Sequence, residues 1–254
     1  MNFFYLMPFS YFFYTRLRGG SIAFHLIFEW LAAAILVLAI GISSPLKSLI
    51  MAGLSYLAFI SLYEIGYLIN DLYAANKEIG GRKRGPRNVS RQWIWSWFGS
   101  RLLVFLGITV LLGFYDSLGW WLFFLALCIV FALHNVLEDK ELKAATFLWL
   151  AWFRFMAPVI FVVEDSQLFG VGMAAAMSYA GFRLFGYLDS KRLLSMPGRQ
   201  RGQFRLFFFL MPLAGAVALW PYSSAQGFLI LTIYFAVAAT VGTMVDSVLT
   251  HAPK

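Results

Sequence analysis

Residues 63–91 read YEIGYLINDLYAANKEIGGRKRGPRNVSR. The stretch opens as apolar helix of membrane grade, takes on Glu64 and Asp71, and then breaks into the densest basic cluster of the chain. A lipid-embedded helix with carboxylates at its mouth and a basic loop beyond them points to a bilayer protein that meets a polar or anionic group where this helix emerges.

The surrounding composition points the same way. With 61% hydrophobic, 19% aromatic and 13% charged residues over 254 positions, the chain has too little polar surface to cover a soluble globule. The expected fold is all-α, a polytopic membrane bundle of roughly eight transmembrane helices in a single domain, 1–254. A net charge of +8 argues weakly for nucleic acid, because basic residues in a membrane protein mark cytoplasmic loops. The lone Cys128 excludes an intrachain disulfide and a cysteine-rich metal site. Residues 1–22 lack the basic start of a signal peptide, and their Phe and Tyr content reads as an interfacial lead-in.

Apolar runs place the spans at roughly 23–42, 48–70, 94–115, 119–136, 145–163, 168–188, 204–221 and 226–249. Arg16 and Arg18 precede the first; Lys77, Arg82, Lys83, Arg84, Arg87 and Arg91 follow the second. Lys140 and Lys143 follow the fourth, and Lys191, Arg192, Arg199 and Arg201 the sixth, whereas the alternate connections are nearly bare of basic residues. Positive-inside bias therefore predicts cytoplasmic termini and longer loops. The expected setting is a multi-pass integral membrane protein, in the plasma (inner) membrane if the cell is bacterial. Gly66-Tyr67-Leu68 recurs as Gly186-Tyr187-Leu188, each ahead of a carboxylate and a basic loop, which suggests related four-helix halves at 23–136 and 145–249. Ser90 is the expected N-cap of the third span, and Pro158 and Pro212 the expected kinks of the fifth and seventh.

A charge at bilayer depth costs about 2.5–3.5 kcal/mol and so needs a partner or a wet cavity. Glu64, Tyr67 and Asp71, spaced i, i+3 and i+7, share one stripe of the second helix. Arg154 and Arg183 lie within the fifth and sixth spans, and charge matching pairs Glu64 and Asp71 with one or the other. The alternative for Glu64 is an architectural ion pair with no ligand. His25 and Glu29, at i and i+4, read as a pair near the interface and Asp246 as interfacial.

Asn70-Asp71 carries a further signal. The chain resembles the UbiA superfamily of intramembrane prenyltransferases, in which NDxxDxxxD closes the second helix and a DxxxD motif the sixth, both holding the diphosphate of a polyprenyl donor through Mg2+. Asn70 and Asp71 match the opening of the first motif and Glu78 its last acid. Arg82 to Pro86 resembles the basic segment after it, and Asp189 what remains of the second motif. HNVLEDKELK at 134–143 is similar to the family's basic loop, with Lys140 and Lys143 as counterparts. The match breaks at Ala74 and Leu193, where the motifs carry aspartates.

The resemblance implies a transferase moving a polyprenyl group from its diphosphate to an acceptor. Asp71, Glu78 and Asp189 would be metal ligands, and Asp71, Asp189, Lys140 and Lys143 catalytic. Asn70, Glu64, Tyr67, Arg82, Arg84, Arg154, Arg183 and Tyr187 would be substrate-binding, and Mg2+ the cofactor. The expected partners are the lipid bilayer and a polyprenyl diphosphate or related lipid-linked phosphate. The missing acids keep open a catalytically altered relative that binds an isoprenoid or a partner protein, and, further off, an unrelated transporter.

Overall fold

The computed structural model describes residues 3–17, 22–74, 86, 89–199 and 201–251. After a short N-terminal segment, eight long helices follow among the described residues: α1 Ile22–Ile40, α2 Pro45–Tyr73, α3 Arg91–Leu111, α4 Leu118–Val136, α5 Lys140–Met156, α6 Asp165–Ser190, α7 Gly202–Leu219 and α8 Ser223–Val248. Among the described residues there is no sheet, only an isolated antiparallel bridge between Gly41 and Val163. Seven of these helices, all but α5, are long and apolar enough to cross a membrane, so the chain is a multi-pass helical membrane protein.

The helix ends follow local chemistry. Ser90 caps α3 by accepting from the Trp93 N–H at 3.2 Å, as its position predicts, and Ser117 caps α4 through the Trp120 N–H at 3.3 Å. Gly113, with φ of 72°, closes α3 in the left-handed conformation a side chain would resist. In α7 the turn at Met211 hands over to Pro212, the first residue of the next helical piece, so the expected kink is present.

The fifth expected span, 145–163, comes out differently. α5 starts earlier, where Asp139 Oδ1 accepts from the Glu141 and Leu142 N–H groups at 2.6 and 3.0 Å, and it stops at Met156 after 17 residues. Pro158 has no N–H to continue the ladder and its ring crowds the carbonyl four residues back. Residues 157–162 run on as turns, and the Ile42 N–H donates to Val162 O at 2.9 Å. Most of this irregular stretch is buried, the condition under which non-helical backbone survives at membrane depth.

Two compact units emerge: residues 1–22 with 50–146, and residues 23–49 with 147–254. This division differs from the halves suggested by the Gly-Tyr-Leu echo, because most of α1 groups with the C-terminal helices. In the first unit, Tyr11, Leu68, Trp93 and Trp97 form a core that seats the N-terminal segment. In the second, Phe28 lies against Phe209 and Phe235 at ring distances of 4.8 and 6.0 Å. Gln167 ties α6 to the start of α8, accepting from the Gly227 N–H at 2.9 Å and donating to Ser223 O at 3.0 Å.

Candidate functional site

In the first unit the last turn of α2, Asn70–Ala74, widens into π geometry, a distortion frequent at functional sites. Asp71 sits in that turn with its side chain 1% exposed. One carboxylate oxygen accepts from the Tyr11 hydroxyl and the other from the Arg16 guanidinium, both at 2.8 Å. Arg16 also lies 4.3 Å above the Tyr67 ring, and Tyr67 stacks on Phe12. Burial, then the Asp71 charge, push the Tyr11 phenol well above its ordinary range, so it stays protonated and acts as a donor. Asn70 beside this group is half-buried.

About two turns deeper, Glu64 and Arg101 are both fully buried. The partner of Glu64 is Arg101 of α3, at 2.7 Å, rather than Arg154 or Arg183 as charge matching suggested. Glu64 also accepts from the Phe12 N–H at 2.7 Å. Arg101 donates in addition to Tyr5 O at 2.9 Å, Met7 O at 2.8 Å, Leu6 O and the Ser100 hydroxyl. It lies 4.4 Å over the Trp97 ring. Every guanidinium nitrogen is occupied, which makes the pair a strut fastening the N-terminal segment to α2 and α3. Arg101 is the only charge in the expected third span, so the rule that picked out Arg154 and Arg183 applied equally to it.

On α5 of this unit, Lys140 is exposed and Lys143 is buried. Glu78, Arg82 and Arg84 lie outside the described residues.

In the second unit Asp189, one residue from the end of α6, accepts from Arg199 Nε at 3.0 Å, with side-chain exposures of 27% and 19%. Arg192, with φ of 59°, turns the chain just beyond. Arg199 then borders a cavity of about 410 Å³ whose wall also includes Ser195, Met196, Arg201, Gln203 and Phe204. Tyr187 stacks on Phe147 at 4.5 Å, with Lys191 Nζ 5.9 Å from its ring.

Further along α6, a second widened turn at Ala175–Ala180 presents Tyr179, and one at Leu26–Leu31 of α1 presents Glu29. The Tyr179 hydroxyl donates to Glu29 Oε2 at 2.7 Å, and His25 Nδ1 meets the same oxygen at 2.7 Å. His25 and Glu29 do pair, but both are buried and a third residue joins them. Arg154 is buried and Arg183 half-buried. Tyr11, Arg16, Tyr179 and Arg199 carried no site signal in the sequence, because tyrosines and loop arginines are too common in such a chain to stand out.

The Mg2+ implied by the resemblance meets an internal competitor at both of its acids among the described residues. Asp71 would have to exchange Arg16 and Tyr11 for the ion, and Asp189 would have to exchange Arg199. No group of three or more potential metal ligands occurs among the described residues. As arranged, these two carboxylates bind guanidinium groups. No family model, curated protein or solved structure matches the chain.

Proposed function

We propose that the chain is a divergent intramembrane prenyltransferase of the UbiA type, holding the diphosphate of a polyprenyl donor at the cytoplasmic end of α6. The observation that supports this most directly is the cavity beyond α6, where Asp189 anchors Arg199 and Arg201 joins it on the wall. Guanidinium groups suit phosphate oxygens because their forked donors bind bidentately. In the reaction the C1–O bond of the donor breaks and its electron pair leaves with the diphosphate. The acceptor forms the new bond to C1 and gives up its proton to solvent. Arg199 and Arg201 would offset the charge that develops on the leaving group.

A second reading is favoured by Asp71 and Asp189 each being engaged by an arginine of its own unit: the lipid is bound and not transferred. One experiment separates the two. Purified protein in detergent is incubated with radiolabelled geranylgeranyl diphosphate, with Mg2+ or with EDTA, and both retention and diphosphate release are measured. Release that falls at least about tenfold in Arg201→Ala supports transfer. Retention without release supports the binder. No retention in any condition sinks both.

A further inference from the structure

We infer that Arg183 is the anchor of a second anion site, which takes a phosphate or carboxylate headgroup carried on an apolar chain. The inference goes beyond prenyl transfer by giving Arg183, which the resemblance assigns to substrate binding, a headgroup of its own, distinct from a diphosphate at Arg199 and Arg201.

The first ground is depth. The 26 residues of α6 measure about 39 Å, against about 30 Å of hydrocarbon. Arg183 lies seven residues, about 10 Å, before Ser190, so it stays within the apolar layer even if all the excess length projects at that end.

The second ground is the charge count. The interior of the second unit holds two guanidinium groups, Arg154 and Arg183, and one carboxylate, Glu29. One oxygen of that carboxylate already serves Tyr179 and His25. Counting the two arginines against the one glutamate leaves one positive charge in excess, before any protonation of His25. Among the described residues Arg183 makes no hydrogen bond or ion pair. Its guanidinium lies 5.9 Å from the Phe24 ring and 6.0 Å from the Phe147 ring. Two ring faces at that distance steady a cation without neutralising it. An intramembrane arginine with no counter-ion among the described residues is a candidate for a ligand that supplies the missing charge.

The third ground is the shape of the surroundings. Tyr179, Arg183 and Tyr187 recur every four residues and share one stripe of α6. Phe24 stacks on Phe28, Tyr179 and Phe182 at 5.0, 6.1 and 5.7 Å. A headgroup at Arg183 would have aromatic faces beside it, which suits an amphiphile better than a free ion.

The test uses the full chain in a non-ionic detergent and follows thermal unfolding by tryptophan fluorescence. The probes are dodecyl phosphate, laurate, dodecanol, dodecyltrimethylammonium and inorganic phosphate. Dodecyl phosphate and laurate should raise the melting temperature saturably, while dodecanol and the ammonium compound do not. A response to inorganic phosphate at equal concentration would keep the anion site and identify its ligand as the soluble ion. Arg183→Met should melt no lower than the wild type without ligand, because it removes an uncompensated charge, and should bind dodecyl phosphate at least about tenfold more weakly. Arg183→Lys should retain part of the response. The inference is overturned if dodecanol matches dodecyl phosphate or if Arg183→Met keeps the response. It also fails if that variant is strongly destabilised, as a purely structural arginine would be.

Discussion

The ends of α2 and α6 carry the same Gly-Tyr-Leu triplet followed by an acid, yet they are built differently. Asp71 comes four residues after Tyr67, so the two share a helix face, and Arg16 can cover the Tyr67 ring at 4.3 Å while reaching Asp71 at 2.8 Å. Asp189 comes two residues after Tyr187, which puts them on different faces. Tyr187 turns to Phe147, and Asp189 to an arginine of the following loop. The outcome is a sealed end with a carboxylate 1% exposed and an open end with one 27% exposed. Two residues of spacing thus separate a packing element from an accessible anchor.

The largest expected effect is on the strut behind the sealed end. Arg101→Met leaves Glu64 fully buried without its cation and strips donors from three backbone carbonyls of the N-terminal segment. Removing one partner of a buried pair costs about 3–5 kcal/mol, so the variant should lose most of its folded yield in detergent. Replacing both partners, as Arg101→Met with Glu64→Leu, should recover part of the loss. If Arg101→Met melts within a degree or two of the wild type, the strut is not a strut.

Next come the acids. Asp71→Asn removes a buried ion pair and a hydrogen bond from the Tyr11 phenol, at about 2–3 kcal/mol. Asp189→Asn touches a pair that solvent reaches, and exposed pairs contribute about 0–1 kcal/mol. Its expected effect is therefore on diphosphate retention through the freed Arg199, with little change in melting. Equal destabilisation by the two substitutions would erase the distinction between sealed and open ends.

The triplet glycines should respond with opposite signs. A Cβ at Gly66 would fall 2.5 Å from the Phe131 ring, whereas one at Gly186 would meet only Arg199 Nη1, at 3.6 Å. Overpacking costs about 1–3 kcal/mol, so Gly66→Ala should lower the melting temperature. Gly186→Ala should raise it, by up to about 1 kcal/mol from helix propensity alone. The same sign for both would mean that close packing of α4 on α2 is not what sets Gly66 apart.

Much of the architecture was legible because bilayer physics is severe. Length, hydropathy and caps such as Ser90 located seven of the eight expected spans to within a few residues. The fifth was misread because the run from Ala145 to Val163 is apolar apart from Thr146 and Arg154, and composition does not reveal that Pro158 ends a helix instead of kinking it. At the candidate site, the depth rule found Glu64, Arg154 and Arg183, but pairing acids with bases by sign alone selected the wrong cation for both Glu64 and Asp71, whose partners are Arg101 and Arg16. Partner choice depends on which helices pack together. That in turn depended on the N-terminal segment folding back on α2, which no periodicity in its Phe and Tyr residues announces.

The smallest effect concerns how the open end is made. Among the described residues each unit has one non-glycine residue with positive φ: Phe9 at 74° before the turn that offers the Phe12 N–H to Glu64, and Arg192 at 59° after Asp189. For an L-residue this conformation costs about 1–2 kcal/mol. Glycine relieves it, and the two positions should differ in what they lose in exchange. Phe9→Gly gives up a ring packed edge-on against Phe12 at 5.5 Å, so relief and loss should nearly cancel. Arg192 is exposed, so Arg192→Gly should stabilise by about 0.5–1 kcal/mol, with Arg192→Ala as the control for charge removal. The strained turn places the Leu193 N–H on Leu188 O at 2.9 Å and directs the chain back so that Arg199 reaches Asp189. Glycine should therefore preserve diphosphate retention while raising the melting temperature. An Arg192→Gly variant that melts no higher than Arg192→Ala would show that the turn carries no relievable strain, leaving the Asp189–Arg199 pair to hold the open end together.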